Sequence, residues 1–185
     1  MSSLIPSGSA SGTGSVTLTV PTTNNNQTAT LPDATGTVMV SGNMPAFSAY
    51  LASSQNITAS TWTKITFNTK TFDTNNNFDS TTNYRFTPTV AGYYQINVIY
   101  AANSTATNPI YSAIAIYKNG AGALNYAYQG TSAAFACPSI STIIYFNGST
   151  DYVEFYAYMS GGTGTLQAYG GSLYTYVSGS MVRAA

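Results

Sequence analysis

The sequence predicts an all-β fold, either a β-sandwich or a jelly roll. The first observation is a strict alternation between Tyr94 and Tyr100, where Tyr94, Ile96, Val98 and Tyr100 form one apolar series. A period of two residues belongs to a β-strand that presents two faces. Similar short segments recur along the chain between turns rich in Asn, Gly and Thr, and no segment shows the period of an amphipathic helix.

Ten strands are expected in the chain after the first 43 residues. Turn residues separate them, and the pair Asn119-Gly120 is typical of a tight hairpin turn. Pro109 and Pro138 fall where strands would begin, which a sheet tolerates. The predicted strands are residues 46–52, 61–67, 69–73, 80–87, 91–101, 110–118, 122–128, 134–146, 151–159 and 168–178.

The two faces of the strand at 91–101 differ in chemistry. The even positions suit a hydrophobic core. The odd positions carry aromatic and amide groups and no charge, which is unusual for a surface in contact with solvent. The question is therefore what this second face contacts, and its residues are Tyr93, Gln95, Asn97 and Ile99.

Composition restricts the function. The chain has 185 residues, enough for one domain with a substantial core and a short appendage. Only 5% of them are charged, against about 25% in average soluble domains, and the formal net charge is zero. A neutral chain lacks the basic surface that nucleic acids or polybasic membrane docking require. With no signal peptide and no membrane-spanning stretch expected, we predict a protein made in a host cytoplasm that works outside it, as virion components do.

Residues 1–42 differ from the rest of the chain. Residues 1–15 are rich in Ser and Gly and are expected to be flexible. Residues 15–42 hold two or three short alternating segments, which are too small to bury a core of their own. We therefore expect residues 1–42 to be an anchor or stalk and residues 43–185 to be the folded head.

Catalysis is not expected. The chain has no histidine, so a serine or cysteine nucleophile lacks its usual base. The single cysteine, Cys137, stands at a predicted strand start and is expected to be a small buried residue. Asp151 and Glu154 point to opposite faces of one strand, which excludes a carboxylate pair for glycoside hydrolysis. Asp73 and Asp79 flank a loop and are expected to cap it.

Aromatic residues and loops offer candidate ligand contacts. Trp62, Tyr126 and Tyr128 could stack on sugars, since tyrosine at loop tips suits adaptable recognition. The alternative, which we favour, places Trp62 in the core and the tyrosines at subunit contacts. The loops around Asn103 and Thr163 are the other candidate contact sites, and the sequence identifies no ligand for them.

Several motifs together resemble a known family. They are "AFSAY" at 46–50, "WTKITFN" at 62–68, "YRFTPTVAGYYQI" at 84–96, "IYKNG" at 116–120, "FNGSTDYVEFYAY" at 146–158 and "GGSLYTYVSG" at 170–179. In order and spacing they resemble the globular head domain of the complement one-q type, a branch of the tumour-necrosis-factor-like jelly rolls. Thr150 stands where the family has glycine, and Leu173 and Tyr174 replace two apolar residues. No collagen-like repeat precedes the head, so the complement role is not implied.

The resemblance implies a ten-stranded antiparallel jelly roll that forms a homotrimer. It also implies an answer for the odd face of the strand at 91–101. In such a fold this strand lies in the inner sheet, with one face toward the core and the other toward the threefold axis. The residues that would meet their symmetry mates are Tyr93, Gln95, Asn97 and Ile99, with Leu173 at the same interface.

Calcium is the one cofactor that the resemblance brings into consideration. Members of the family sometimes hold calcium near the trimer apex through carboxylates and carbonyls. Asp73 and Asp79 belong to the loop "FDTNNNFDS" at 72–80, which has many hard oxygen donors. No ligand motif of fixed spacing is present, so we expect no cofactor and name these two residues as the calcium candidates.

The N-terminal segment has a resemblance of its own. The stretch "ATLPDATGTVMV" at 29–40 is similar to short strand–turn modules in tail and fibre proteins of bacterial viruses. We therefore expect a virion structural protein: a capsid-decorating knob, short fibre or tail-tip component that binds capsid or tail through residues 1–42. A host-surface glycan is a candidate further partner. The alternatives are a bacterial lectin-like or adhesin module that binds glycans, and a polysaccharide depolymerase.

Overall fold

The structure is a computed structural model, and the predicted anchor is mostly outside the part that it describes. The chain divides between Gly36 and Thr37, and every strand below belongs to the second part. The role of residues 1–42 and their boundary with the head therefore stay predictions. Within the described ranges no helix has the length and apolarity needed to cross a membrane. The described residues are 44–105, 110–131, 135–161 and 164–185, with Thr13, Val40 and Gly42.

The described chain consists of β-strands joined by turns, which confirms the all-β prediction. Two predicted strands, 69–73 and 110–118, have the observed ends. The strands are β1 (Ala46–Tyr50), β2 (Gln55–Asn56), β3 (Thr63–Lys64), β4 (Thr69–Asp73), β5 (Phe78–Asp79), β6 (Arg85–Phe86), β7 (Gly92–Ile99), β8 (Ala102–Ser104), β9 (Ile110–Lys118), β10 (Ala123–Thr131), β11 (Phe135–Ala136), β12 (Ser139–Phe146), β13 (Val153–Ser160), β14 (Leu166–Ala168) and β15 (Tyr176–Ala184).

The strands form three antiparallel sheets. The five-stranded sheet has the order β12-β7-β15-β1-β4, and the six-stranded sheet has the order β10-β9-β13-β6-β5 with β3 also paired to β13. The four-stranded sheet has the order β11-β8-β14-β2. Each of its strands is the neighbour in sequence of the strand at the same place in the order β12-β7-β15-β1 of the five-stranded sheet. Neighbouring strands come from distant parts of the chain, as in the pairing of β1 with β15. This topology is that of a jelly roll and confirms the predicted fold class.

Two predicted strands, at 61–67 and 80–87, are mostly loop. The first pairs with its neighbour only through β3, and the second is replaced by the short pair β5 and β6. The segment at 80–87 is interrupted by Asp79, whose carboxylate accepts hydrogen bonds from the backbone amides of residues 81–83 at 2.9 to 3.0 Å. A side chain that binds its own backbone in this way competes with strand pairing.

The prediction of one continuous strand at 168–178 is wrong, because the middle of this segment forms a turn. Strand β14 ends at Ala168, and the backbone amides of Tyr174 and Thr175 donate to the carbonyl of Gly171 at 3.0 and 3.2 Å, which closes a turn. Strand β15 then continues to Ala184. Its sequence is polar and contains glycine, so its alternation was too weak to identify the strand.

The core lies between the five-stranded and six-stranded sheets. On β7 and just after it, the even series from Tyr94 to Tyr100 is at most 2% exposed, which confirms the predicted core face. The six-stranded sheet contributes the alternate positions of β13 to the same hydrophobic cluster. These positions are Val153, Phe155, Ala157 and Met159, all fully buried.

An aromatic cluster around Phe86 joins the two sheets. The ring of Phe86, on β6, stacks on Phe47 of β1 with 4.2 Å between ring centroids. It meets Tyr94 of β7 and Phe146 of β12 edge-on, at 5.6 and 5.7 Å. Stacked and edge-to-face contacts are the arrangements that aromatic pairs prefer. Because β6 belongs to one sheet and the other three strands to the opposite sheet, this cluster holds the two layers together.

The hairpin between β9 and β10 confirms the predicted Asn119-Gly120 turn. Both residues have positive φ, 55° and 71°, and the Ala121 amide donates to the Lys118 carbonyl at 3.1 Å. These are the features of a type I′ turn, which matches the twist of the flanking strands. The Asn119 side-chain amide also donates to Asp151 at 2.8 Å, and this bond fixes the hairpin against the loop before β13.

Gly179 lies against the core, where there is no space for a side chain. We expect Gly179→Ala to destabilise the head by about 1–3 kcal/mol. A β-carbon there would lie 2.7 Å from Ile96 Cδ1 and 2.7 Å from Phe47 Cε1, both in the packed core. Gly130→Ala is the matched control, because a β-carbon at Gly130 meets only Tyr111, at an ordinary 3.5 Å. Urea unfolding followed by circular dichroism should show a lower midpoint for the first variant only. Equal midpoints would contradict this packing.

Alkaline pH is expected to unfold the head through its buried tyrosines. Burial raises the pKa of Tyr94 and of Tyr100 well above the ordinary 10.0, and burial with the nearby Glu154 carboxylate raises the pKa of Tyr156 to about 12. The unfolded chain therefore loses these protons first, so stability is complete below pH 10 and falls as the pH rises above it. Tyrosinate absorbance should increase together with the loss of the β-sheet dichroism signal. Full ionisation of all tyrosines with an unchanged dichroism spectrum would contradict the prediction.

Candidate functional site

The outward face of the five-stranded sheet is the candidate assembly surface. Side chains directly opposite each other on paired strands point to the same face, so the pairing of β12, β7, β15 and β1 arranges this surface in four rows. We name it the β7 face. Its rows are Tyr145–Tyr93–Arg183, Ile143–Gln95–Ser180–Ala46, Ser141–Asn97–Ser178–Ser48 and Ser139–Ile99–Tyr176–Tyr50.

The centre of the β7 face is a closed hydrogen-bond cluster of three neutral side chains. The Gln95 side-chain amide donates to the Ser141 hydroxyl at 2.9 Å and to the Asn97 carbonyl oxygen at 3.3 Å. The Ser141 hydroxyl donates in turn to the same Asn97 oxygen at 2.9 Å. Because the Gln95 amide nitrogen, the Ser141 hydroxyl and the Asn97 oxygen already have partners within the chain, covering these three atoms with another surface costs little.

Apolar side chains lie on both sides of this polar centre. At one end the rings of Tyr93 and Tyr145 pack at 5.3 Å between centroids, and the neighbouring Ile143 is 57% exposed. At the other end Ile99 and Tyr176 line a hollow of about 260 Å³. Among the four rows the charged member is Arg183. A largely uncharged face with exposed aromatic and aliphatic groups is suited to burial against a second protein surface.

Leu173, the fifth residue predicted at the interface, is not in any of the four rows. It lies in the loop between β14 and β15 and is 84% exposed. Nearby in the chain, Tyr169 and Tyr174 pack edge to face at 4.9 Å. The strand pairing shows that Tyr93, Gln95, Asn97 and Ile99 point to one outward face. The subunit contacts of these four residues and of Leu173 stay predictions.

Among the members of the β7 face that sequence reasoning missed, three have exposed aromatic or aliphatic side chains: Ile143, Tyr145 and Tyr176. The β7 residues were identified because their strand alternates clearly. On β12 the adjacent pair Ile143 and Ile144 places apolar groups on both faces, so no alternation was visible there. Tyr176 begins β15, whose start was misplaced in the predicted strand. The pairing of β7 with both strands is the information that the sequence lacked.

The calcium candidates Asp73 and Asp79 both act as loop caps, as predicted. Asp73 accepts hydrogen bonds from the backbone amides of Asn77 and Phe78, both at 2.9 Å, and pairs with Lys70 at 3.2 Å. The backbone amides of the loop after Asp79 hold the pKa of its carboxyl well below the ordinary value. Within the described ranges no three His, Cys, Asp or Glu side chains cluster as metal ligands. Calcium binding therefore stays a prediction that this geometry does not strengthen.

The remaining carboxylates that the structure describes are in ion pairs. Asp151 pairs with Lys118 at 2.8 Å, and this hydrogen bond is the main cause that lowers the Asp151 pKa. Glu154 pairs with Lys64 at 2.6 Å and accepts a hydrogen bond from the Tyr156 hydroxyl at 3.2 Å. No catalytic arrangement is indicated by these contacts, and the absence of enzyme activity stays a prediction.

The predicted ligand contacts are in strands, where loops had been expected. Tyr126 and Tyr128 lie on β10 with 69% and 58% of their surfaces exposed, and they point outward from the six-stranded sheet. Asn103 lies on β8 and is half-buried between β11 and β14. The description of Tyr126 and Tyr128 as loop-tip residues was wrong, although both fall in the strand predicted at 122–128. The loop placement of Asn103 was wrong because a separate strand, β8, follows β7 beyond the predicted end at 101. Thr163 lies outside the described residues.

Two side chains expected in the core are outside it. Trp62 is half-buried, and its ring is 5.4 Å from Tyr158 and 6.3 Å from Tyr117, two tyrosines on the outward face of the six-stranded sheet. It precedes the short strand β3 and covers that sheet from outside. Cys137 is an exposed free thiol, because the preceding residue, Ala136, occupies the buried position.

Comparison with known proteins confirms the fold resemblance. No protein-family model and no curated protein matches the sequence. The chain is similar to the globular domain of zebrafish complement 1qA, with a TM-score of 0.54 and 18% identity over 76% of this chain and 98% of that one. It is similar to Eiger TNF from S. frugiperda (TM-score 0.57, 7% identity, 77% and 93% coverage) and to murine APRIL (0.53, 7%, 75% and 99%). The head is thus a jelly roll of the complement 1q and TNF type.

Proposed function

We propose that the chain is a non-enzymatic structural protein of a virus particle, specifically of a bacterial virus. Residues 43–185 form a homotrimeric head, and residues 1–42 attach it to the capsid or the tail. The protein is made in the host cytoplasm and becomes part of the virion as a capsid-decorating knob, a short fibre or a tail-tip component. In that position the head contacts the host surface.

The β7 face is the observation that carries the trimer. In a single chain this face leaves Tyr93, Tyr145 and Ile143 in water, although its polar centre is already hydrogen-bonded internally. Three copies arranged around a threefold axis bury these groups against one another. Because the rotation between copies closes after three subunits, the assembly is a ring and cannot continue into a filament. The jelly-roll fold supports this geometry, because the homotrimer is the assembly that the family resemblance implies.

The virion assignment is supported by composition and by the N-terminal segment. A surface with 5% charged residues contacts a host at short range and depends little on salt, because screening acts on charges. The strand–turn stretch at 29–40 is similar to segments of viral tail and fibre proteins, and it supports a separate attachment function.

The native mass of two proteins tests the assembly: the full chain and a chain that begins at residue 43. Light scattering should give a trimer for both, because the β7 face lies entirely within the head. A trimer for the full chain alone would mean that residues 1–42 cause the association. Monomers in both cases would contradict the trimer and favour a monomeric lectin-like module.

The attachment role is tested with particles of the virus that encodes the chain. Capsids and tails purified without this protein are mixed with it and sedimented. The full chain is expected to sediment with one of the two, and the chain that begins at residue 43 is expected to stay in solution. Failure of the full chain to bind either particle would contradict the virion assignment, whatever its oligomeric state.

A further inference from the structure

The outward face of the six-stranded sheet is covered with tyrosines. The pairing of β10, β9 and β13 forms three rows of side chains on this face. In two neighbouring rows an alanine of β9 lies between two tyrosines, and in the third row a tyrosine of β9 lies opposite a glycine. We name this surface the tyrosine platform, and Trp62 and Tyr117 extend it. Its rows are Tyr126–Ala115–Tyr156, Tyr128–Ala113–Tyr158 and Gly130–Tyr111–Ser160.

The side chains of the platform cover the small residues of the sheet beneath them. Ala113 and Ala115 point outward and yet are only 4% and 0% exposed, so neighbouring side chains must cover them. The Cδ1 and Cε1 atoms of Tyr111 lie 3.5 Å from the position that a β-carbon would have at Gly130. The plane of the Tyr111 ring is within 16° of that of Tyr128, at 5.8 Å between centroids. Tyr111 and Tyr128 therefore form one parallel ring pair across β9 and β10.

Tyr117 and Tyr156 form a second parallel pair, with centroids 4.3 Å apart and planes within 27° of each other. Trp62 packs beside them against Tyr117 and Tyr158. The ring contacts thus form two groups, Tyr111 with Tyr128, and Trp62 with the tyrosines of β9 and β13. The strand pairing places both groups on the same face of the sheet.

The platform presents large exposed rings and no unpaired charge. Tyr111 is 47% exposed, and Tyr126 and Tyr128 are exposed still further. The ions at its border, Lys64 and Glu154, neutralise each other at 2.6 Å. Such a surface offers ring faces for stacking and phenol hydroxyls for hydrogen bonds, with no attraction for a charged ligand.

We propose that the tyrosine platform is a binding site for a neutral polysaccharide, with pyranose rings stacked on Tyr111, Tyr126 and Tyr128. This inference rests on the host-contact part of the proposed function, for which it names the ligand class and the site. It does not depend on the trimer. Because the two sheets of the sandwich pack through their inner faces, the platform and the β7 face point in opposite directions, and burial of one leaves the other open.

The chemistry of the platform favours a sugar over a protein or an acidic polymer. The C–H groups on one face of a pyranose form an apolar surface that packs on exposed tyrosine rings, while its hydroxyls reach the phenol groups. The centre of a protein interface is also enriched in Tyr, but it generally combines Tyr with Trp, Met or Arg anchors that fill pockets. The platform rows contain only Tyr, Ala, Gly and Ser. An acidic polysaccharide needs a free cation, and Lys64 is already paired.

Binding of the full chain to cellulose, curdlan and agarose tests the proposal, with polygalacturonate as the acidic comparison. Depletion of protein from suspensions of each polysaccharide gives the affinity. Fluorescence gives a second signal from the site itself, because Trp62 is the single tryptophan of the chain and lies in the platform. The variants are Tyr126→Ala and Tyr128→Ala, singly and together, and the corresponding Phe substitutions. Tyr174→Ala is the matched control, a 46% exposed tyrosine outside the platform.

We expect binding to at least one neutral polysaccharide, and each Ala substitution should weaken it by about tenfold, as loss of a stacking ring does elsewhere. The Phe variants should keep most of the affinity, and Tyr174→Ala should keep all of it. Lack of binding to all three neutral polysaccharides, or equal affinity in the double Ala variant, would overturn the proposal.

Light scattering on the same variants separates this proposal from the assembly proposal. The double Ala variant should keep the mass of the unsubstituted protein, since the platform is not the assembly surface. A fall in mass would show that another copy covers the platform, which contradicts the polysaccharide site. Loss of binding at constant mass supports the site, and a monomer that still binds would contradict only the trimer.

Discussion

Replacing Gln95 with lysine is expected to convert the proposed trimer into folded monomers. Gln95 lies in the middle of the β7 face, where its amide binds Asn97 and Ser141. In a monomer the longer lysine side chain extends into water and costs little. Around a threefold axis, three ammonium groups would be buried near one another without a carboxylate on the face to neutralise them. A buried charge without its partner costs about 3–5 kcal/mol, enough to dissociate an assembly of ordinary affinity.

Light scattering at several protein concentrations measures this effect, and circular dichroism verifies that the variant is folded. Thr82→Lys is the control, because it adds the same charge at an exposed loop position after β5. The control should keep the trimeric mass. A trimer that survives Gln95→Lys would show that the β7 face is not the assembly surface, even if the protein is trimeric by another route.

Phe86→Ala is expected to cause the largest loss of stability in the head, about 3–5 kcal/mol. Its ring contacts Phe47, Tyr94 and Phe146 of the opposite sheet, and its side chain is fully buried. Truncation removes the apolar burial and leaves a cavity between two sheets, which relax only in part. Because small domains have a total stability of about 5–15 kcal/mol, the variant is close to unfolding at ambient temperature.

Urea titrations of Phe86→Ala and Phe72→Ala compare the same chemical change inside and outside the core. Phe72 lies on β4 and is 48% exposed, so its truncation should cost less than about 1 kcal/mol. Both variants are measured at one protein concentration, because association stabilises the folded state by mass action. Similar losses for the two variants would contradict the central position of Phe86.

Local patterns in the sequence predicted the features that a few neighbouring residues determine. The two-residue period of β7 is a property of the strand backbone, so the buried Tyr94 series and the outward Tyr93 series followed from position alone. The Asn119-Gly120 turn was predictable because it requires positive φ at both positions, which these residues tolerate. The motif order added the jelly roll, which periodicity alone did not distinguish from other sandwiches.

Features that depend on pairing between distant segments were not predictable. The Asn119-Gly120 turn indicates that the strand of Tyr126 lies beside β9. Nothing in the sequence indicates that the distant strand β13 adds Tyr156 and Tyr158 on the other side of β9, and this pairing turns scattered tyrosines into a platform. Trp62 was expected in the core because of its size, but its position before a two-residue strand puts it on the outside. The strand break after Asp79 depends on hydrogen bonds from a side chain to its own loop, which compete with the strand period.

The position of β15 determines the order in which the protein can form. Ser180 pairs with Gln95 on one side and with Ala46 on the other, so the second row of the β7 face, which Ile143 completes, combines four segments of the chain. Closing such long loops is entropically costly, and chains with mostly non-local pairing fold in milliseconds to seconds. The β7 face does not exist until β15 has inserted between β7 and β1. The proposed assembly through this face would therefore wait for a slow unimolecular step, whose rate is independent of protein concentration.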